Sequence, residues 1–122
     1  MVCVLVDACG WVALIEARLN LDTSMKDVVG VAELKLLECV DKELESVSAN
    51  RKGLLLELLR NRSEMIPDLE ELRHPDEMLL RMSSQNGWPV LTVDKDLKRL
   101  LIEQGGSYIE VTSGRFLRLV GT

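Results

Sequence analysis

Two aspartates directly follow apolar segments whose residues are typical of buried strands. Asp7 ends the segment 2–6, and Asp94 ends the segment 89–93. In an open parallel sheet, ligands bind beyond the carboxyl ends of the strands, so both side chains would face one crevice if these strands are central and parallel. Their oxygens could then share a divalent cation. For either aspartate taken alone, capping of the following helix is an equally good interpretation.

Two further carboxylates lie at the edges of apolar helix faces. The stripe beside Glu43 consists of Val40, Leu44 and Val47. Asp76 lies in the first turn of a helix predicted over residues 75–85, with Pro75 at its start. A carboxylate at the edge of a buried stripe needs a partner, because an unpaired buried charge is costly. That partner is either a divalent cation or an ordinary structural one: an Arg or Lys for Glu43, and a helix N-cap or first-turn role for Asp76.

Taken together, these four carboxylates form an all-oxygen set without histidine or cysteine. Such a set suits Mg²⁺ or Mn²⁺. Packing several carboxylates together without a cation would cost repulsion and would raise their pKa values. The three cysteines and the single histidine show no zinc-ligand spacing. Cys3 and Cys39 lie among apolar neighbours and are interpreted as small buried residues without a function. The sequence therefore predicts a site for a hard divalent cation.

The composition is that of one soluble domain spanning residues 1–122. It is 47% hydrophobic and 29% charged, with a formal net charge of −5. An acidic chain is not expected to bind nucleic acid through a broadly basic surface, although a local basic patch is compatible with it. Aromatic residues make up 3% of the chain, too few for the stacking of several bases. Without a membrane-length apolar run or a signal segment, we expect a cytoplasmic protein with no membrane contact.

Strand-like and helix-like segments alternate along the chain. Strands are predicted over 2–6, 34–37, 63–66, 89–93, 108–111 and 116–120. Helices are predicted from about Trp11, after a start signal at Asp22-Thr23-Ser24, from Glu38, and over 53–59, 75–85 and 94–104. Alternation with short connections indicates βαβ units. The predicted fold class is therefore α/β, in three layers (α/β/α) with a central, mostly parallel twisted sheet and 2–6 as its central strand.

Four stretches that together extend over nearly the whole chain resemble the PIN-domain family. They are VLVDACGWVAL, ECVDKELESV, HPDEMLLRMSSQNGWPVLTVDKDLKRLLIEQGG and YIEVTSGRFLRLVG. The last is similar to the tail of archaeal PIN nucleases related to ribosome biogenesis. The resemblance implies an endoribonuclease that depends on Mg²⁺ or Mn²⁺. The catalytic and metal-binding residues that it implies are Asp7, Glu43, Asp76 and Asp94, with Asp96 as an additional or water-mediated metal ligand.

The implied reaction is hydrolysis of an RNA phosphodiester without a covalent enzyme intermediate. Lys95, Arg73 and Arg99 are the candidates for contacts with the phosphate backbone. Ala8 and Val93 differ from the residues that are usual in the family, so a catalytically degenerate RNA-binding or assembly module is one alternative. A VapC-type toxin nuclease controlled by an antitoxin is another. The expected partners are thus single-stranded or structured RNA, an antitoxin or a ribosome-assembly partner, and a second copy in a homodimer.

Overall fold

The computed structural model of the chain describes residues 1–48 and 54–121. The strands in these residues are β1 Val2–Val6, β2 Ala32–Leu37, β3 Ser63–Ile66, β4 Val90–Leu91, β5 Ser107–Val111 and β6 Leu117–Gly121. The helices are α1 Ala8–Glu16, α2 Leu21–Val29, α3 Glu38–Ser48, α4 Leu54–Arg62, α5 Pro75–Asn86 and α6 Lys95–Glu103. Strands and helices alternate as the sequence pattern predicts.

The strands form one sheet in the order β3-β2-β1-β4-β5-β6. All neighbouring strands are parallel except β5 and β6, which are antiparallel. Strand β1 therefore lies in the middle, between β2 and β4. The predicted α/β class and the predicted central strand are both confirmed.

The sheet is covered on both faces. Val4, Leu5 and Val6 are consecutive in β1 and all fully buried. Because successive side chains of a strand point to opposite faces, apolar packing must lie above and below β1. The helices pack in two groups, with α3 in contact with α1 and α4, and α5 in contact with α6. This is the predicted three-layer arrangement.

Helix α2 begins earlier than its predicted start signal. Its N-cap is Asn20, whose side chain accepts a hydrogen bond from the Thr23 backbone N–H at 3.0 Å. Thr23 also donates its hydroxyl to the same oxygen. The prediction from Asp22-Thr23-Ser24 was therefore wrong by two residues, because an asparagine cap satisfies the same free N–H groups as the Ser, Thr or Asp cap that was expected.

Strand β4 is shorter than predicted, since regular pairing covers Val90–Leu91 rather than residues 89–93. Hydrogen bonds continue beyond these limits: the Pro89 carbonyl accepts from Leu5 N–H, and Thr92 N–H donates to the Ile109 carbonyl. Proline has no N–H to give to the sheet, which limits the ladder at its start. Helix α6 then begins at Lys95 and ends the extended backbone.

The predicted apolar stripe of α3 is only partly buried. Val40 and Leu44 are in the core, but Val47 is 37% exposed. The stripe therefore ends one turn before the prediction. In the next helix, Gly53 of the predicted segment 53–59 lies outside the described residues, and α4 is described from Leu54.

In residues 1–48 and 54–121, no helix has both the length and the apolar character needed to cross a membrane.

Helix α1 lies unusually close to the backbone of β4. A Cβ atom added to Gly10 would lie 2.3 Å from the Leu91 carbonyl oxygen and 2.9 Å from Thr92 Cα. Both neighbours are backbone atoms, so they cannot turn away as a flexible side chain could. The absence of a side chain at Gly10 thus sets how closely α1 approaches the sheet.

We expect Gly10→Ala to destabilise the protein by about 1–3 kcal/mol or more, because overpacking against backbone outweighs the gain of about 1 kcal/mol in helix propensity. Urea unfolding followed by circular dichroism measures the change. Ala13→Ser, which also adds one heavy atom to α1 but at a half-buried position, is the matched control and should have a small effect. Equal stability of Gly10→Ala and the wild type would contradict the close packing.

Candidate functional site

Asp7 is a buried carboxylate with both oxygens bound. It is 6% exposed and caps helix α1, with Oδ1 accepting from the Ala8 backbone N–H at 2.9 Å. Its Oδ2 accepts from the Thr92 hydroxyl at 2.7 Å and from the Cys9 thiol at 3.1 Å. The capping interpretation is thus correct for Asp7. The contacts to Thr92 and Cys9 go beyond capping, because they fix the direction of the second oxygen.

Thr92 joins the ends of the two central strands that carry the aspartates. Its hydroxyl donates to Asp7 and accepts from the Asp94 backbone N–H at 3.1 Å. Val6 of β1 and Leu91 of β4 are neighbours in the parallel register, so the residues that follow them leave the sheet at the same edge. The prediction that Asp7 and Asp94 face one crevice is supported by this pairing.

Asp94 is half-buried and caps helix α6. Its Oδ1 accepts from the Leu97 backbone N–H at 2.9 Å. No residue in the described part of the chain donates a hydrogen bond to its Oδ2. Asp94 therefore combines a structural role with one oxygen that remains available to a ligand.

Glu43 and Asp76 come from two different helices and are both exposed. Asp76 lies in the first turn of α5, whose N-cap is His74, so the predicted N-cap role for Asp76 is wrong and the first-turn role is correct. Glu43 forms no ion pair with any Lys or Arg in residues 1–48 and 54–121. The ordinary salt bridge considered for Glu43 is therefore not found there.

The pKa of Glu43 is raised above its ordinary value of 4.5. Partial burial is the main cause, and the negative charges of Asp7 and Asp76 raise it further. Glu43 on α3 is thus close enough to the end of β1 and to the start of α5 to feel both carboxylates. This agrees with the predicted repulsion among clustered acids.

Asp76 shows the same effect. Partial burial is again the main cause that raises its pKa above 3.8, followed by the charges of Asp7 and Asp94, with a small further contribution from Asp96. His74 acts in the opposite direction and lowers the pKa. The five predicted acids therefore share one electrostatic neighbourhood at the carboxyl edge of the sheet.

The donor chemistry of this cluster fits a hard divalent cation, since all the side chains offer carboxylate oxygens. Their arrangement is open, however. In residues 1–48 and 54–121, no three His, Cys, Asp or Glu side chains are grouped closely enough to hold a metal ion. The acids thus lie near one another without converging on one point.

A cleft of about 420 Å³ lies beside Asp7. The residues that line it are Ala8, Cys9, Val12, Ala13, Glu16, Glu43, Val47 and Val93. Its lining is mostly small or apolar side chains, with one glutamate from each helix, Glu16 of α1 and Glu43 of α3. The exposure of Val47, which the helix pattern did not predict, is explained by its position on this cleft.

Cys9 is the residue of the site that sequence reasoning missed. Its thiol donates to Asp7 and lies 3.4 Å from the Thr92 hydroxyl. Burial, followed by the charge of Asp7, raises the pKa of Cys9 above 9.0, so the thiol remains protonated and can donate. Its position two residues after the strand-end aspartate, in the first turn of α1, was the available signal.

The three predicted phosphate contacts differ in their surroundings. Arg99 donates to Glu103 at 3.0 Å, one helical turn away, so its charge is partly neutralised. Lys95 and Arg73 are exposed, and neither forms an ion pair within the described residues. Lys95 directly follows Asp94, and Arg73 directly precedes His74, the N-cap of α5. These two cations stay available near the acidic edge.

We expect Thr92→Val to lower the free energy of unfolding by about 1.5–3 kcal/mol, because a buried carboxylate then loses a hydrogen bond to its charged oxygen. Thr92→Ser keeps the hydroxyl and is the control. Chemical unfolding at pH 7 measures both variants. Equal stability of the Val and Ser variants would mean that the hydroxyl of Thr92 does not hold Asp7.

We also expect removal of either exposed charge to stabilise the metal-free protein at pH 7. A raised pKa means that the folded state binds the proton more tightly than the unfolded state, so the free energy of unfolding falls as the pH rises through the carboxyl range. Glu43→Gln and Asp76→Asn should reduce this decrease in the free energy of unfolding, so each variant should be more stable than the wild type at pH 7. The gain should stay below about 1 kcal/mol, because solvent screens both exposed groups.

Thermal unfolding in EDTA at pH 7 and near pH 3 measures this gain, which should disappear at the lower pH, where carboxyl groups are mostly protonated. Glu77→Gln is the control, because Glu77 lies in the same helical turn as Asp76 but lines a different surface depression with Leu72 and Leu80. A lower melting temperature for both test variants at pH 7 would contradict the repulsion.

Comparison with known proteins gives a match of structure rather than of sequence. No protein-family model matches the chain, and no curated protein matches it in sequence. The solved structure of the PIN domain endonuclease Utp24 is similar, with a TM-score of 0.84 and 19% sequence identity, over 98% of this chain and 92% of that chain. The chain therefore has the PIN-domain fold, as the resemblance of its motifs predicts.

Proposed function

We propose that this protein is an endoribonuclease that uses Mg²⁺ or Mn²⁺ to hydrolyse RNA phosphodiester bonds. Asp7, Glu43, Asp76 and Asp94 would hold the ion, with Asp96 as an outer or water-mediated ligand. The observation that carries the proposal is that four carboxylates from separate elements crowd one sheet edge. None of the four forms an ion pair within the described residues.

This crowding has a cost in the metal-free protein. Partial burial first, and then the charges of the neighbouring acids, raise the pKa values of Glu43 and Asp76, so their ionised forms are disfavoured. A structural cluster would relieve such repulsion with Lys or Arg, as Arg60 does for Asp41 on the same helix α3 at 2.7 Å. A bound divalent cation relieves it in another way, since it supplies the positive charge that the cluster lacks.

The residues of the site have different roles in this proposal. When bound, Mg²⁺ or Mn²⁺ supplies activation of water and stabilisation of the leaving oxygen. Asp7 offers an oxygen whose direction is set by Thr92 and Cys9. Asp94 offers its Oδ2, which accepts no hydrogen bond from the described residues. Glu43 and Asp76 are exposed, so their side chains can turn toward Asp7 to complete the site.

Two observations support a nucleic-acid substrate: the positive charges near the acids and the similarity to a known endonuclease. Lys95 and Arg73 form no ion pair within residues 1–48 and 54–121, and they are suited to hold the backbone phosphates that flank the scissile bond. The similar solved structure is titled a PIN domain endonuclease, which supports a nuclease by analogy of fold. The motif resemblance favours RNA as the nucleic acid.

Asp7→Asn should abolish cleavage of single-stranded RNA in Mn²⁺, because it removes the charge at the centre of the cluster. A labelled oligonucleotide and gel electrophoresis measure cleavage, with EDTA as the metal-free reference. Asp27→Asn is the matched control, since Asp27 is an exposed aspartate on α2. Equal cleavage by the Asp7 variant and the wild type would refute the assignment.

A second candidate is favoured by the open arrangement of the acids. Since no group of three potential ligands converges in the described residues, the chain could serve as an RNA-binding or assembly module without catalysis. Calorimetric titration with Mn²⁺ separates the two: heat of binding that Asp7→Asn loses supports the nuclease, and RNA binding without metal uptake supports the module. An antitoxin or ribosome-assembly partner, a homodimer and a cytoplasmic location stay predictions.

A further inference from the structure

The turn between β5 and β6 lies at the same edge of the sheet as the carboxylates. Strands β4 and β5 are parallel neighbours, with Leu91 opposite Ile109. The residues that follow both strands therefore leave the sheet in the same direction, Asp94 after β4 and Thr112 after β5. Neighbouring strands are about 4.8 Å apart, and Thr112 lies three residues, or about 10 Å, beyond the partner of Leu91. The start of this turn therefore lies about 11 Å from the end of β4 and about 14 Å from that of β1.

The turn holds an arginine in a backbone conformation that few residues adopt. Thr112 N–H donates to the Phe116 carbonyl, and Arg115 N–H donates to the Thr112 carbonyl, which encloses a three-residue loop. Arg115 has a φ of 61°. Glycine is usual at the left-handed position of such loops, and other residues there cost about 1–2 kcal/mol. Backbone strain of this kind clusters at sites that hold ligands.

Among the residues that the structure describes, one further non-glycine residue has a positive φ, and it has an ordinary explanation. Arg18 has a φ of 57° and follows the end of α1, where Leu19 N–H bonds to the Leu14 carbonyl. This is a common way to end a helix. Arg115 ends no helix. Its positive φ instead closes the three-residue loop between β5 and β6.

Arg115 is also free of neutralising partners in the described part of the chain. Among the other basic residues after position 96, Lys98, Arg99 and Arg118 all form ion pairs with glutamates. Arg115 is exposed and pairs with none of the described acids. Its charge is therefore available to an anion that approaches the sheet edge.

The next residue presents an aromatic ring to solvent. Phe116 is 57% exposed and is the only phenylalanine of the chain. Its ring lies against the turn, since a Cβ added to Gly114 would meet Phe116 Cε1 at 2.8 Å. A ring supported on one side and open on the other is suited to stack on one base, and the adjacent guanidinium is suited to the phosphate.

We infer that the segment 112–116 binds single-stranded RNA next to the cleavage site, with Arg115 on a backbone phosphate and Phe116 stacked on a base. This inference rests on the proposed function. The separation from β1 places the turn near the scissile bond but not at it, so Arg115 and Phe116 are substrate-binding rather than catalytic residues. One aromatic ring gives affinity for a single strand with little sequence preference.

The test is fluorescence anisotropy of a labelled single-stranded RNA 12-mer with the full chain in EDTA, where cleavage does not occur. Phe116→Ala should weaken binding about 5- to 150-fold. Arg115→Asn should weaken binding and lower the magnitude of the slope of log affinity against log salt by about 0.7, the contribution of one phosphate contact. Asparagine tolerates positive φ, so this variant keeps the turn.

Two matched controls separate the turn from general effects. Lys26→Ala removes an exposed cation from α2, beside a depression at the opposite edge of the sheet, and Leu119→Ala removes an exposed apolar side chain from β6. Wild-type affinity in both controls, with losses in both turn variants, supports the inference. Unchanged affinity in the turn variants, or equal losses in the controls, overturns it.

Cleavage assays distinguish the failure of this inference from that of the proposed function. If the turn variants bind normally while the wild type cleaves RNA and Asp7→Asn does not, the inference is wrong and the nuclease stands. If the wild type neither binds nor cleaves RNA, both are wrong. Circular dichroism of each variant confirms that a loss of binding is not a loss of fold.

Discussion

The hydrogen bond from Thr92 to Asp7 holds together the part of the molecule on which the proposed site depends. Asp7 starts α1 through its other oxygen, and the Asp94 backbone that starts α6 is bound to the same threonine hydroxyl. Two strand ends and two helix starts are thus linked through a few buried atoms. A change of the charge at Asp7 would therefore also disturb the fold, because the same carboxylate caps α1 and is a proposed metal ligand.

The pairing of charges differs between the proposed site and other parts of the protein. Several acids outside this cluster are paired with bases, as in the pairing of Glu110 with Lys98 and Arg118 or of Asp22 with Arg62. The four proposed metal ligands lack ion pairs within the described residues, and their mutual repulsion contributes to the raised pKa values of Glu43 and Asp76. A fold that keeps a group of unpaired acids at one place loses some stability there, which is the usual cost of a binding site.

Much of this site could be predicted from sequence because its positions are set by short-range rules. Asp7 and Asp94 follow strands, and Asp76 follows a proline that starts a helix, so each was located by its immediate neighbours. Cys9 was missed because its role depends on the direction of its thiol toward β4. The ion pair of Arg99 was missed for a similar reason, since the pattern of a helix does not say which neighbour a flexible side chain chooses.

The boundaries of elements show the same division. Both ends of strand β3 were predicted correctly, because Pro67 follows its last residue. Strand β4 was predicted too long, because its length depends on which backbone groups of β1 and β5 are in position to form hydrogen bonds with it. The burial of Val47 was predicted wrongly, since an apolar residue on a helix face can line an open cleft as well as a core. Sequence periodicity identifies the apolar face of a helix, but it does not show whether other residues or solvent lie against that face.

The close approach of Gly10 to β4 divides the proposed site into a rigid half and an adjustable half. Asp7 is held by backbone packing and by three hydrogen bonds, whereas Glu43 and Asp76 are exposed on other helices. An ion that draws in a free glutamate must overcome its rotamer entropy, about 1.5–2 kcal/mol. Adjustable ligands also accommodate ions of different radius, so the site would discriminate only weakly between Mg²⁺ and Mn²⁺. The concentrations of the two ions, rather than the geometry of the site, would then determine which one is bound.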